Sequence, residues 1–526
     1  MRKCVGVFAI FVFLLIGQTI QVSAQTPDQE MRPQQAKVAP LPPIALEKEE
    51  SSVTDHTIKI GAQVIPYKAT AGTMYLKNDQ GEPIALMYSA AYTRSDVKDL
   101  STRPIAFLYN GGPGSASMWL HMGAFGPRRA TTTDAAPTPP PPYKLADNAE
   151  CLLDKADLVF VDAMGTGFSH AVGKAQNRDF FGIDEDVQAF GQYILNYVNK
   201  NNRWNSPKFL IGESYGTFRS AVLGNFLQSR YSMHLNGIVL ISNVLDFSSL
   251  MFSPYDDRTF IYYLPSYAAV AWYHKALKTQ PPNLAAFIDE ARRYAQTEYA
   301  AALFKGDKLS AQEQAAVAKR LSGFTGLSED YLIKAGLRVS LGQFNIELER
   351  AKGLTTGRID ARFTGYTRDL LSETAQGDPE GPAVGGAFTA LLNDYNHNEL
   401  KFGLDKTYRG SSGGGGWNWT RLPTGRQGAT GGGGGYPSSP NALPDLFQAM
   451  ITNPKLLVQV ENGYYDMATP FFATEITIDH LGLRPEMQGR IKFDYYEAGH
   501  MMYLQDESRV SLKNNIAAFI DRATQR

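Results

Sequence analysis

The stretch KFLIGESYGTFRS, residues 208–220, holds one serine, Ser214, between two glycines that each lie two positions away. The short apolar run KFLI precedes this G-x-S-x-G motif, and FRSAVLGNFL follows it with the pattern of a helix. A serine on a tight turn from strand to helix is raised clear of the sheet, where a substrate can reach it. The stretch therefore predicts a fold of alternating strands and helices, with Ser214 as its candidate nucleophile.

A second G-x-S-x-G match, GSSGG, lies at residues 410–414. The polar run KTYR precedes it, and further glycines follow it. Glycine and serine without a flanking apolar run are typical of a flexible loop. The context of the two matches therefore favours Ser214 over Ser412.

Other short apolar runs in the chain are similar to the one before Ser214. Nearly continuous apolar sequence is typical of strands that are buried on both faces of a parallel sheet. Helical patterns at residues 184–200, 216–231 and 511–525 alternate with them, which predicts an α/β fold with a central, mostly parallel sheet flanked by helices. The predicted buried strands lie within residues 103–110, 156–162, 208–214, 236–243, 454–463 and 490–500.

The sequence pattern divides the chain into a core and a large insertion. Alternating β-branched and aromatic residues at the start of the core predict antiparallel hairpins. After residue 246 the pattern becomes helix-like and rich in tyrosine and alanine, and it ends in a glycine-rich stretch. We predict a signal peptide at 1–24, a disordered leader at 25–55, the α/β core at 56–246, an inserted, mainly helical cap with a glycine-rich loop at 247–446, and the rest of the core at 447–526.

The N-terminus has the layout of a secretory signal peptide. Arg2 and Lys3 precede an apolar run at residues 5–16, and small residues lead to a cleavage site after Ala24. The protein is therefore expected to be exported to the periplasm or the extracellular space. The apolar run is short for a membrane span, so no stable membrane association is expected, although an uncleaved anchor stays an alternative.

Composition excludes several classes of function. The 51 lysines and arginines nearly balance the 52 aspartates and glutamates, so the net charge of −1 offers no footprint for nucleic acid. The chain has no C-x-x-C pair and no H-E-x-x-H motif, so neither a metal nor a cofactor is expected. Without the signal peptide, Cys151 is the one remaining cysteine, which predicts a small buried residue and no internal disulfide.

A serine nucleophile needs a histidine that accepts its proton. His500 directly follows a predicted buried strand, in FDYYEAGHMMY. The sequence around His274 and His397 is that of the cap, and His480 lies at a predicted helix end, so packing or surface roles are favoured there. His500 is therefore the candidate base.

The histidine in turn needs an acid that orients it. Asp466 follows the preceding predicted strand across a turn, which gives the order serine, acid, histidine. Asp479 is the rival, but its pattern places it within a helix. Two backbone N–H groups would stabilise the oxyanion, one from Tyr215 after the serine and one from the glycine loop that follows Asn110.

Five blocks of the sequence, taken in this order, resemble the serine carboxypeptidases, peptidase family S10, and the chain looks like a bacterial-type member. They leave the predicted cap uncovered, and their order is far more specific than GESYG alone. The blocks are NGGPGSAS (110–117), DLVFVDAMGTGFSH (157–170), GESYG (212–216), NGYYDMATP (462–470) and AGHMMY (498–503).

The resemblance implies an α/β-hydrolase fold and a role for each matching residue. Ser214, Asp466 and His500 match the catalytic triad of the family. Gly112 and Tyr215 match its oxyanion donors. No cofactor is implied.

The resemblance also assigns Asn110 and Glu213 to the binding of the substrate's terminal carboxylate. A carboxyl group beside a carboxylate must keep its proton to bind it, which favours acidic pH. From the residues alone, Glu213 would be a surface residue at a helix start. Ala124 stands where the family usually carries a second glutamate, and Ser115 stands where it carries a cysteine, so strict C-terminal specificity is less secure.

The expected substrates are peptides with a free C-terminus, from which single residues are released through an acyl-enzyme on Ser214. An esterase or acyltransferase that uses the same triad is the alternative within enzymes. A non-catalytic binding or scaffold protein with the same fold is the alternative outside them.

Overall fold

The computed structural model describes residues 46–413, 415–421 and 439–525. The predicted signal peptide and its cleavage site lie outside these residues. The first strand begins at Ser51, within the segment predicted as a disordered leader to residue 55. Its sequence is largely polar and alternates between exposed and partly buried residues, because it forms the outer edge of the sheet.

The strands and helices alternate along the chain, and a strand lies in each predicted range. The prediction of burial is wrong for the last of them, Ile491–Tyr496, because it forms an edge of the sheet and is only partly buried. The strands are β1 (Ser51–Ile60), β2 (Gln63–Lys77), β3 (Pro83–Arg94), β4 (Ile105–Tyr109), β5 (Arg128–Ala130), β6 (Leu145–Asp147), β7 (Asp157–Val161), β8 (His170–Ala171), β9 (Lys208–Glu213), β10 (Gly237–Ile241), β11 (Leu354–Thr356), β12 (Thr364–Tyr366), β13 (Leu457–Gly463) and β14 (Ile491–Tyr496). The helices are α1 (Ile183–Lys200), α2 (Tyr215–Tyr231), α3 (Arg258–Tyr273), α4 (Leu284–Tyr294), α5 (Ala300–Phe304), α6 (Ala311–Thr325), α7 (Glu329–Lys334), α8 (Leu341–Glu347), α9 (Glu380–Asn398), α10 (Leu443–Thr452), α11 (Phe471–Asp479), α12 (Pro485–Gln488) and α13 (Asp506–Thr524).

The central sheet is antiparallel at one side and parallel elsewhere. Its order in the described residues is β1-β2-β3-β7-β4-β9-β10-β13-β14, and the short β8 also pairs with β3. The neighbours from β1 to β7 are antiparallel, and those from β7 to β14 are parallel. β7 lies on one side of β4 and β9 on the other, so the strand order reverses at β4. In such sheets, ligands bind at the carboxyl ends of the strands beside this reversal.

Both faces of the parallel strands are buried, as the continuous apolar runs predict. In β4, Leu108 belongs to the cluster on the face of α13, while Phe107 belongs to the cluster on the face of α1, α2 and α10. The same alternation holds in β9, where Ile211 faces the first cluster and Leu210 the second. A strand with a period of two and helices on both faces has no polar face, which explains its composition.

The segment between β10 and β13 is mainly helical and contains α3 to α9 with the short β11–β12 pair. It has a hydrophobic cluster of its own, which α3, α4 and α6 share with residues of the loop after β13 and of α11. This segment corresponds to the predicted cap. α10 begins at Leu443 and packs against α2, so core packing resumes a few residues before the predicted boundary at 447.

Candidate active site

Ser214 lies on the turn between β9 and α2, with φ of +59° and ψ of −129°. It is partly exposed, while its neighbours on both sides are buried. A Cβ atom on Gly212 would lie 2.2 Å from the carbonyl oxygen of Gly216, and one on Gly216 would lie 2.9 Å from the carbonyl oxygen of Tyr109. Both glycines of the motif are therefore required by close backbone contact, and the serine has the strained geometry of an exposed nucleophile.

The first glycine of the second motif has no such constraint. A Cβ atom on Gly410 would lie 3.6 Å from its nearest neighbour. The predicted loop is nevertheless held in place, because the Ser412 N–H donates to the carbonyl of Gly114 at 2.9 Å. The described start of the loop therefore lies against the glycine loop that follows Asn110.

His500 and Asp466 lie together in the turns after the last two strands of the sheet. Nδ1 of His500 is 2.8 Å from Oδ2 of Asp466, and both residues are buried. The carboxylate also accepts the hydroxyl of Thr469 at 2.6 Å and the backbone N–H groups of Ala468 and Thr469 at 2.8 and 2.9 Å. These donors fix the carboxylate in the orientation that holds the imidazole. No sequence pattern indicates this role of Thr469, although it lies in the NGYYDMATP block.

Residues at the end of strand β10 form hydrogen bonds with both Ser214 and His500. The N–H of Ser214 donates to the carbonyl of Ile241 at 2.9 Å. The next residue, Ser242, donates its hydroxyl to the carbonyl of His500 at 2.6 Å. The nucleophile and base candidates therefore lie at the same end of the sheet, on either side of one strand end.

The cap also contacts the histidine and the acid, which no sequence pattern predicted. The N–H of His500 donates to the carbonyl of Ile359 at 2.9 Å, and the N–H of Met467 donates to the carbonyl of Arg358 at 3.1 Å. The Gly499 N–H donates to the buried carboxylate of Asp360 at 3.2 Å. Residues 358–360 thus form hydrogen bonds with both the loop of Asp466 and the loop of His500.

The three other histidines considered as the base, and the rival acid, lie in helices or directly after them. His274 is 2.7 Å from the carbonyl of Ala361 through Nε2, and His480 follows the last residue of α11. His397 lies in the last turn of α9. Asp479 lies in a helix as predicted, but it is the exposed last residue of α11 and not a residue of the helix middle.

The expected oxyanion donors lie where the glycine loop meets the serine turn. Tyr215 is the first residue of α2, so its N–H has no acceptor within the helix. A Cβ atom on Gly111 would lie 2.4 Å from the nitrogen of Tyr215, so only glycine permits this approach of the two segments. Gly112 has φ of +104°, a conformation that glycine adopts readily.

Asn110 is fixed by three hydrogen bonds. Its Nδ2 donates to Oε1 of Glu213 at 2.7 Å, and its Oδ1 accepts the N–H of Leu120 at 3.0 Å. Its carbonyl accepts a hydrogen bond from Arg219 at 2.8 Å. Arg219 is fully buried and paired with Asp186 at 2.6 Å. Through this hydrogen bond, the buried ion pair holds the start of the glycine loop in place.

Glu213 is the last residue of β9 and is buried, so it is not the surface residue that its local sequence suggests. Burial raises its pKa to about 7, against the charge of His500 and the hydrogen bond from Asn110, which lower it. At pH values below about 7 the carboxyl is therefore neutral and can donate a hydrogen bond.

His500 combines opposing influences on its pKa. Burial lowers the pKa, but the charge and hydrogen bond of Asp466 and the charge of Glu213 raise it more, so the net pKa lies above its ordinary value. An imidazole with a raised proton affinity is a stronger base once it is neutral.

The candidate site residues lie away from one cavity of this protein. A cavity of about 880 Å³ lies at the amino ends of β9 and β13, lined among others by Lys208, Asn236 and Leu457. The predicted site residues do not line it, and they lie at the opposite, carboxyl ends of the strands. In the described residues, no group of three or more potential ligands could hold a metal ion, and no helix has the length and apolarity to cross a membrane.

The sheet order and the strand–serine–helix turn define an α/β-hydrolase fold, as the family resemblance implies. The family model of the serine carboxypeptidases matches residues 62–277, which confirms the resemblance found in the sequence. No curated protein matches the sequence. The family match and the fold support a peptidase-type hydrolase.

Solved structures are similar to this chain, and the first of the two that follow shows the same fold. Kex1(Δ)p, a prohormone-processing carboxypeptidase from Saccharomyces cerevisiae, is 16% identical, with 87% of this chain and 91% of that chain covered and a TM-score of 0.50. A proline iminopeptidase from Mycobacterium smegmatis is 12% identical, with 90% and 99% covered and a TM-score of 0.35.

Proposed function

We propose that this protein is an exported serine carboxypeptidase that releases single residues from the C-termini of peptides. The observation that carries the proposal is the pair Asn110–Glu213 beside the strained serine turn. A neutral, buried carboxyl group and an amide donor next to a nucleophile suit a substrate whose cleaved bond lies close to a carboxylate.

The chemistry follows from the geometry of the turns after the strands. His500 takes the proton of Ser214 as the hydroxyl attacks the scissile carbonyl, and Asp466 orients the imidazole. The N–H groups of Gly112 and Tyr215 stabilise the oxyanion. His500 then gives the proton to the leaving amine, an acyl-enzyme remains on Ser214, and water hydrolyses it with His500 as the base.

Specificity for the C-terminus would come from two donors. The amide of Asn110 and the protonated carboxyl of Glu213 donate to the terminal carboxylate of the peptide. Because the pKa of Glu213 is about 7, binding weakens as pH rises through that value. An internal segment of a chain lacks the carboxylate and would leave both donors without a partner.

The test uses blocked dipeptides with a free C-terminus, their C-terminal amides and a simple acyl ester, with products identified by mass spectrometry from pH 4 to 8. We expect release of the C-terminal residue from the free acids, and labelling by a fluorophosphonate probe that is lost in Ser214→Ala. Turnover of the ester alone would favour the esterase or acyltransferase. Absence of both turnover and labelling would favour a non-catalytic binding protein.

Export is part of the proposal and rests on the N-terminal sequence. Mass spectrometry of the mature protein is expected to find an N-terminus that begins after Ala24. A mature protein that begins at Met1 would contradict cleavage and favour the uncleaved anchor.

A further inference from the structure

The cap contributes a second buried carboxyl, that of Glu380, to the surroundings of the candidate active site. Glu380 is the first residue of α9 and is 1% exposed. Within the part of the chain that the structure describes, neither of its carboxyl oxygens has a hydrogen-bond partner. Because an unpaired buried polar group is costly, such a group is a candidate for binding a ligand.

Three hydrogen bonds connect the start of α9 to the candidate base. The N–H of Glu380 donates to Oδ1 of Asp378 at 3.1 Å, and Oδ2 of Asp378 accepts the N–H of Ile359 at 2.9 Å. The carbonyl of Ile359 accepts the N–H of His500 at 2.9 Å. The position of Glu380 is therefore coupled to that of the histidine.

Tyr503 connects Glu380 to Glu213. A Cβ atom on Gly123 would lie 2.6 Å from the ring of Tyr503 and 3.1 Å from the ring of Phe388, so α9 and Tyr503 meet at this glycine. Burial raises the pKa of Tyr503, and the charges of both Glu213 and Glu380 raise it further. The ring of Tyr503 therefore packs at the same glycine as α9, the helix that begins at Glu380.

The surroundings of Glu380 favour its neutral form. Burial raises its pKa well above the usual range, and the negative charges of Asp360, Asp378, Glu213 and Asp466 raise it further. A carboxyl at a helix start is often an ionised cap, but the carboxyl of Glu380 accepts no hydrogen bond, and it is Asp378 that accepts the N–H at the start of α9. A neutral carboxylic acid without a partner can donate a hydrogen bond to an anion.

We propose that Glu380 is a specificity-determining residue whose carboxyl group donates a hydrogen bond to the terminal carboxylate of the peptide, together with Asn110 and Glu213. This inference rests on the proposed carboxypeptidase function and names a further binding residue of the same site. The substrate then supplies the partner that Glu380 lacks, and the cap takes part directly in recognition of the peptide end.

The test compares the wild-type protein with Glu380→Ala, Glu380→Gln and the control Glu461→Gln. Glu461 is an equally buried carboxyl on β13 that accepts the hydroxyl of Tyr496 at 2.6 Å. Each protein is assayed on blocked dipeptide acids that end in leucine or lysine and on an acyl ester. Thermal unfolding shows whether each variant folds.

In Glu380→Ala we expect the KM for the dipeptide acids, relative to that for the ester, to rise about ten- to hundredfold. Glu380→Gln keeps an N–H donor and is expected to restore most of this loss. In Glu461→Gln the ratio is expected to stay as in the wild type.

Three results would overturn the assignment. An unchanged ratio in a folded Glu380→Ala protein would show that the carboxyl does not bind the peptide end. An equal change in Glu461→Gln would show a general effect of the buried carboxyl. A loss in Glu380→Gln that is confined to the lysine-ended dipeptide would show that Glu380 binds a cation. If the wild type itself hydrolysed the ester alone, the proposed function would fail, and this assignment with it.

Discussion

Replacement of Glu213 by glutamine tests the electrostatic basis of the proposed function. Glutamine keeps the size of the side chain and can still accept the hydrogen bond from Asn110, but it does not titrate. The two proteins should therefore differ only in how their stability depends on pH. This difference measures the protonation state of Glu213 without any substrate.

The expected magnitude follows from the pKa of the buried carboxyl. Burial raises this pKa from 4.5 to about 7, and the difference of about 2.5 pKa units corresponds to roughly 3 kcal/mol at about 1.4 kcal/mol per unit. The folded state binds the proton more tightly than the unfolded state, so this stability is present below pH 4.5 and is lost as pH rises through about 7. Glu213→Gln avoids this loss.

The assay is thermal unfolding at pH 5 and pH 8. For a unit that spans Ala45–Arg526, an unfolding entropy of about 2 cal/mol/K per residue gives roughly 1 kcal/mol/K in total. The Tm of Glu213→Gln relative to wild type should therefore rise by about 3 °C between the two pH values. Glu486→Gln, an exposed change on α12, is the control and should show no such rise.

A Tm difference that stays constant from pH 5 to pH 8 would refute the reasoning. It would mean that Glu213 is ionised throughout this range, and an ionised carboxyl would repel the peptide carboxylate. The proposed mode of C-terminal recognition would then be wrong, even if the serine, histidine and aspartate were active.

Three further predictions concern the serine turn and the base. Gly212→Ala should destabilise the protein by about 2 kcal/mol or more in denaturant unfolding and abolish labelling by the fluorophosphonate probe, because the new Cβ would lie 2.2 Å from a backbone oxygen. The control Gly410→Ala should change the stability by less than about 0.5 kcal/mol. Asp466→Asn should lower kcat for ester hydrolysis by about 10³–10⁴-fold with little change in KM, and a loss below tenfold would contradict its role as the orienting acid. In Glu213→Gln, the acidic limb of the pH profile of kcat/KM for esters should move to lower pH, because a carboxylate no longer raises the pKa of His500. If this limb did not move, the coupling between Glu213 and His500 would be contradicted.

The serine turn could be predicted from the sequence because all its determinants are local. The interior of β9 is apolar because the strand is buried on both faces, and a Cβ atom at position 212 or 216 would lie 2.2 or 2.9 Å from a backbone oxygen, so both positions require glycine. The order of Asp466 and His500 could be predicted because both follow buried strands of recognisable pattern. In these places local sequence and overall fold agree.

Other features depend on contacts between distant segments and leave no local signal. Strand β1 is polar because it is an edge strand, and only its pairing with β2 from Ser51 onward separates it from the leader. The hydrogen bond from His500 to Ile359 joins two loops far apart in sequence. Ala124 stands where the family usually carries a glutamate, and this absence can be read from the sequence. No local pattern indicates that Glu380, on a helix of the cap, brings another carboxyl to the same region.

The electrostatic coupling of Glu213 and His500 explains how one site could bind a carboxylate and still hold a working base. Binding requires a protonated Glu213, whose pKa is about 7, while catalysis requires a neutral His500, whose pKa is raised in part by the charge of Glu213. Protonation of Glu213 removes that charge, so it lowers the proton affinity of the imidazole in the same step that prepares the carboxyl to bind. The bound peptide then adds a carboxylate of its own beside Glu213, so the site again holds one negative charge near His500 and the imidazole keeps its raised proton affinity.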